Sequence, residues 1–129
     1  MAKMKGLFLT GTILLSSVFV VSQTHPKEIV VSDVHGTELL RMCATESASA
    51  EAQFCYAFIL GVRDGVVLTA ELRGTKPIIE TPVEAKQEQL KAIVVKYLKD
   101  HPEEHHKPAA MLVIFALSQA FPPQDKAAR

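Results

Sequence analysis

The stretch Val94–Pro122, VVKYLKDHPEEHHKPAAMLVIFALSQAFP, decides the fold, because it holds the end of one helix, a break, and a second helix of different character. Leu90, Ile93, Val94, Tyr97 and Leu98 recur at i, i+3, i+4, i+7 and i+8, with Lys86, Lys91, Lys96 and Lys99 at polar positions around them. That pattern predicts an amphipathic helix laying one face on a core. Proline disfavours helical geometry in the residue before it, so Pro102 stops this helix at His101. Lys107-Pro108 opens the last helix, predicted over Ala109–Phe121. Its segment Met111–Leu117 is apolar almost all round, which places it centrally. Pro122-Pro123 ends it, and Gln124–Arg129 reads as a frayed tail.

Upstream, Thr81-Pro82-Val83-Glu84 combines a threonine cap, a proline at a first helical position and a glutamate placed for a capping box, so the third helix is predicted to start there. Thr75–Glu80, with Pro77, is an extended connection, and Arg73-Gly74 ends the helix before it. That second helix begins near Ser47-Ala48-Ser49, where serines can cap free amides. Phe54, Phe58, Val62 and Val66 recur along it at near-helical spacing, as do Cys55, Ile59 and Val62, which predicts burial on more than one side. Gly61 and Gly65 interrupt it at a cost of up to about 1 kcal/mol each against alanine, so close approach of a neighbouring helix is expected there. Arg63 and Asp64, between them, are either outer-face charges or contacts for a partner. A short helix over Gly36–Cys43, with Leu39, Leu40 and Cys43 on one side, completes the set. No strand-length alternation and no internal repeat appears, so the fold class is all-α, a small four-helix domain over residues 23–129.

Ahead of it, Lys3 and Lys5 precede the apolar run Gly6–Val21 and a polar turn at Ser22-Gln23-Thr24-His25-Pro26. This reads as a cleavable signal peptide over residues 1–22 and implies a periplasmic address. An uncleaved tether is the alternative, but the run falls short of the roughly 20 apolar residues of a spanning helix, so no stable membrane insertion is expected after cleavage. Cleavage removes two of the 14 basic residues and none of the 14 acidic ones, leaving a slightly acidic chain. Nucleic-acid binding, which needs a basic excess, is thereby disfavoured. Two cysteines remain, Cys43 and Cys55. In an oxidising compartment, with no Cys-x-x-Cys spacing, one intrachain disulfide is the economical reading.

The most polar feature is His101-Pro102-Glu103-Glu104-His105-His106. Three histidines and two carboxylates suggest zinc, yet Pro102 separates His101 from the others, so no His-x-x-x-His pair shares one helical face. The reading is a solvated loop between helices, with no metal site and no cofactor. No Gly-x-Ser-x-Gly elbow, poised nucleophile or phosphate-binding glycine loop exists, so the chain does not read as an enzyme. It reads as a protein that binds by shape and charge.

Two motifs carry a family resemblance. Cys55-Tyr56-Ala57-Phe58-Ile59-Leu60-Gly61-Val62-Arg63-Asp64 resembles the cysteine and aromatic-glycine helix of the type VI amidase immunity proteins, the Tai and Rap group. Val94–Leu98, His101-Pro102, Pro108–Ala110 and Ala120–Pro122 are similar, in order and spacing, to that group's C-terminal half. Relatives often carry a second cysteine pair joining the connection before the third helix to the chain's end. Here Thr75–Pro77 and Pro123 stand in those places, so a more mobile connection is expected.

The resemblance implies a periplasmic immunity protein, all-helical and homodimeric, that binds a peptidoglycan amidase effector and plugs its active-site groove. No chemistry is required of such an inhibitor. The loop Pro102–Lys107 is the predicted contact, with Glu103, Glu104, His105 and His106 as partner-binding residues and Arg63 and Asp64 as further candidates. The alternative is a periplasmic acid-stress chaperone or another small helical binding protein, in which the same acid-histidine cluster senses pH.

Overall fold

A computed structural model of the protein describes residues 33–45 and 48–124. The predicted signal peptide lies outside the described residues. Four helices follow in order, α1 (Gly36–Cys43), α2 (Ala50–Arg73), α3 (Gln87–Asp100) and α4 (Ala109–Ala120), with one turn of 3-10 helix at Pro102–Glu104 between the last two. No strand occurs among the described residues, where the only extended pairing is an isolated bridge between His35 and Pro108.

The all-α reading therefore holds. Leu39 of α1, Ile59 of α2, Leu90, Val94 and Leu98 of α3, and Leu112, Val113 and Leu117 of α4 are buried together with Ile79 of the connection. α4 is the central helix that its apolar composition predicted, in contact with all three others. Cys43 and Cys55 form the expected disulfide, buried within this cluster and tying the end of α1 to the first turns of α2.

Local signals account for most helix ends. Ser49 caps α2, its hydroxyl accepting from the Ala52 amide at 3.0 Å. Gly74 ends the same helix in the left-handed conformation, φ +63°, which a β-carbon disfavours. α3 stops at His101 before Pro102, and α4 ends at Ala120, one residue short of the predicted Phe121.

Two expectations fail for physical reasons. α3 does not start at Pro82. Residues 82–85 close a turn in which the Ala85 amide donates to the Pro82 carbonyl at 3.0 Å, Val83 is 98% exposed, and the helix begins only at Gln87. The turn lets Ala85 pack on the core while Ile79 is fully buried. Tertiary burial overrides the capping signal. Next, Gly61 and Gly65 meet no close neighbour among the described residues: a β-carbon on either would find nothing within 4 Å of it there. The connection before α3 is hydrogen-bonded to the C-terminal segment. The Glu80 amide donates to the Phe121 carbonyl at 3.0 Å, the Gln124 amide to the Glu80 carboxylate at 2.9 Å, and the Lys76 ammonium to the Gln124 carbonyl.

Candidate functional site

Because α3 must stop before Pro102 and α4 cannot start before Pro108, residues 102–107 are forced into a compact turn between two helices that pack closely on each other. Backbone bonds shape it from within: the Glu104 amide donates to the His101 carbonyl at 3.0 Å, His105 to Pro102 at 3.3 Å and Lys107 to Glu104 at 2.8 Å. α1 fastens it from outside. Its otherwise unpartnered first amides, Gly36 and Thr37, donate to the carbonyls of Lys107 (3.2 Å) and His105 (3.3 Å), while the Ala109 amide donates back to Val34 at 2.8 Å. Gly36 is buried here, and a β-carbon on it would come within 3.0 Å of the His105 Cα and 2.5 Å of Leu112.

Side chains add a second set of ties. The Tyr97 hydroxyl donates to Glu104 Oε2 at 2.9 Å, and the Lys107 ammonium donates to Glu104 Oε1 at 2.8 Å. Both carboxylate oxygens of Glu104 are thereby engaged. The ring of His101 stacks on Tyr97 with centroids 4.2 Å apart. His101 Nδ1 lies 2.9 Å from the Tyr97 carbonyl and His105 Nε2 lies 2.6 Å from the Leu98 carbonyl. A carbonyl only accepts, so each of these nitrogens carries a proton and donates.

The electrostatics follow from this arrangement. Burial, reinforced by the hydrogen bond to Glu104 and by the charges of Glu104 and Glu103, pushes the Tyr97 hydroxyl up to about 12. The hydrogen bond from Lys107, and next that from Tyr97, holds the Glu104 carboxyl below its ordinary value. Both shifts favour the proton arrangement that the hydrogen bonds need, a neutral phenol beside an ionised carboxylate.

Of the predicted contact residues, Glu103 and His106 are exposed on the turn, while Glu104 and His105 are half-buried and hold its shape. Arg63 and Asp64 are not brought to this turn. They lie midway along α2 and pair with each other at 2.7 Å. Next to the turn, Ile93 and Tyr97 of α3, His101 just beyond its end, and Ala116 and Ala120 of α4 line a shallow groove of ≈ 310 Å³ rimmed by Lys96 and Asp100. Among the described residues no group of three or more His, Cys, Asp and Glu side chains converges as a metal ion requires.

Sequence reasoning missed Tyr97 and Gly36 as supports of this turn. Tyr97 was legible only as a core position, since its partner lies across a helix end, and Gly36 carried no signal beyond being a glycine at a helix start.

The described residues thus form a small helical domain stapled by one disulfide and presenting a braced acidic and histidine-bearing turn. The family model of Rap1a immunity proteins matches residues 35–123, so the chain belongs to the Rap1a immunity protein family. An immunity protein has a toxin effector as its partner. No curated protein and no solved structure matches the chain.

Proposed function

We propose that this protein is an exported, periplasmic immunity protein that binds a type VI secreted peptidoglycan amidase and occludes its active site, acting as a homodimer without catalysis of its own. The observation that carries this reading is the bracing of Pro102–Lys107 by Tyr97, Lys107 and the first amides of α1. A turn held in one shape loses little conformational freedom on entering a groove, so more of its contact energy appears as affinity. Glu103 and His106 are the exposed groups that would meet the toxin, with Glu104 and His105 positioning them. Plugging a groove needs only shape and complementary charge, which suits a chain whose one disulfide uses both cysteines.

The test is capture and inhibition of purified type VI amidase effectors by the mature protein, beside a Glu103→Lys/His106→Glu variant. Tight inhibition of one effector, lost in a variant with an unchanged melting temperature, supports the reading. Inhibition indifferent to both substitutions moves the site off the turn.

A further inference from the structure

The groove beside the turn follows from where α4 places its smallest side chains. Ala116 and Ala120 stand four residues apart, on one face of that helix, and Ile93 and Tyr97 of α3 have the same spacing on the other side of the groove. Two alanine methyl groups leave unfilled the space that longer side chains would take, so a depression of ≈ 310 Å³ stays open among the described residues. Phe115, Leu117 and Phe121, the large neighbours of these alanines in sequence, all pack on the core instead.

The walls are aromatic and aliphatic, and the rim is neutral. The His101 ring, stacked on Tyr97 with centroids 4.2 Å apart, extends the flat surface against which another ring or an aliphatic side chain can lie. Lys96 and Asp100 pair with each other, so the mouth carries no net charge. A charged side chain entering here would lose water and gain no opposite charge, whereas an apolar one gains by leaving water.

We propose that this groove is a second contact for the effector, taking one of its aromatic or large aliphatic side chains while the turn enters the toxin's own groove. Continuity with the turn identifies the occupant. Tyr97 and His101 belong to both features: the Tyr97 hydroxyl holds Glu104 of the turn, and α3 gives way to the turn at His101. The charge of exposed Glu103 is close enough to act on the Tyr97 hydroxyl, so that carboxylate stands at the same place. A partner seated on Glu103 and His106 therefore covers the near end of the groove. Binding energy between proteins concentrates in a few apolar anchors seated in pockets and ringed by polar groups. Glu103 and His106 bring charge and hydrogen bonding to the contact, and the groove brings the apolar centre that they lack.

This inference rests on the proposed function, and its test separates the two. Ala120 is exposed, so Ala120→Phe should fill the groove with the core intact and the melting temperature near that of wild type. Against an amidase effector that the wild type inhibits, it should raise the inhibition constant on the order of thirtyfold, as loss of a central anchor does. Ala120→Ser, which leaves the groove open, should stay within about threefold. In otherwise wild-type protein, a benzophenone amino acid in place of Gln119, on the rim, should crosslink to the effector. Truncating the aromatic or large aliphatic residue of the crosslinked effector segment to alanine should weaken wild-type binding similarly and add nothing to Ala120→Phe.

Unchanged inhibition by folded Ala120→Phe overturns the proposal, and leaves the immunity reading standing where Glu103→Lys/His106→Glu still abolishes inhibition. Crosslinking from position 119 to a second copy of the chain in place of the effector also overturns it. Additive losses from Ala120→Phe and the effector truncation would place that effector side chain elsewhere and overturn the stated chemistry. A wild type that inhibits no amidase fails the proposed function itself, and this inference with it.

Discussion

The Tyr97 hydroxyl reaches across the end of α3 to donate a hydrogen bond to Glu104 at 2.9 Å, joining a core residue of the helix to a residue of the exposed turn. Through this bond the turn inherits the rigidity of the core. Tyr97→Phe keeps the packed ring and removes only the donor, so it should cost about 1 kcal/mol of stability. The larger expected effect is on effector inhibition, since Glu104 then keeps only Lys107 as a side-chain partner. Denaturant melts and inhibition titrations on the same preparation separate the two. Equal inhibition by the variant would remove Tyr97 from the site's support.

Burial of the Tyr97 hydroxyl, together with this bond, sets an alkaline limit. The Tyr97 pKa is raised from 10.0 to about 12 in the folded protein, so the protonated phenol is favoured by folding. A raised folded value contributes stability that is complete below pH 10 and is lost as pH climbs toward 12. In a Tyr56→Phe background, phenolate absorbance should rise with a midpoint near 12, and stability should fall across that window. Titration near 10 would show that Tyr97 is neither desolvated nor bonded to Glu104.

On the acid side the sign reverses. The Glu104 carboxyl is held below its ordinary 4.5, first by Lys107 and then by Tyr97, so its contribution is present above that value and lost as pH falls through the lowered one. Wild-type protein should lose melting temperature more steeply on acidification below about pH 4.5 than Glu104→Gln does. The comparison also bears on the acid-stress alternative, which requires that acidification release apolar surface. Dye binding by the wild type near pH 3, with loss of tertiary signal, would favour that alternative over a dedicated inhibitor.

Much of this architecture was legible because local chemistry and tertiary packing agree. Pro102 and Pro108 bound the turn, Gly74 ends α2 where its positive φ requires it, and the spacing of Leu90, Val94, Tyr97 and Leu98 marks the buried face of α3. Where the two disagree, the sequence misleads. Thr81-Pro82-Val83-Glu84 has the chemistry of a helix start, but the burial of Ile79 and the bonds from Glu80 to the C-terminal segment draw the chain into a turn instead. The site was legible as a place and not as a mechanism. An exposed run of acids and histidines can be read from composition, whereas the division between exposed Glu103 and His106 and structural Glu104 and His105 depends on Tyr97, Leu98 and α1.

The Cys43–Cys55 disulfide closes a short loop, with a sequence separation of 12. In the chain-entropy account a loop of this size restricts the unfolded chain by about 3 kcal/mol. Replacing both cysteines with alanine should lower unfolding free energy by that order and also loosen α1, whose first amides hold the turn. Hydrogen exchange at Gly36 and Thr37 should therefore quicken in the variant. Unchanged exchange there would mean that α1 is held by its packing alone.

Gly36 offers the sharpest link between fold and site, because its surroundings leave no room for a methyl group. A β-carbon would stand 2.5 Å from Leu112 Cδ1, 3.0 Å from the His105 Cα and 3.1 Å from the His105 carbonyl. The leucine end can rotate away, but the His105 backbone can yield only if the turn moves. Gly36→Ala should thus destabilise the protein by about 1–3 kcal/mol, as overpacking does, although alanine is the better helix former. It should also weaken effector inhibition without altering any exposed group. Thr37→Ala, one residue along and exposed, is the control and should leave both properties near wild type. Fusing α1 so closely to the turn makes the turn's shape a property of the whole fold. A Gly36→Ala protein that is destabilised yet inhibits normally below its melting temperature would show that the turn adapts, and that the rigidity argued for it is not what the effector reads.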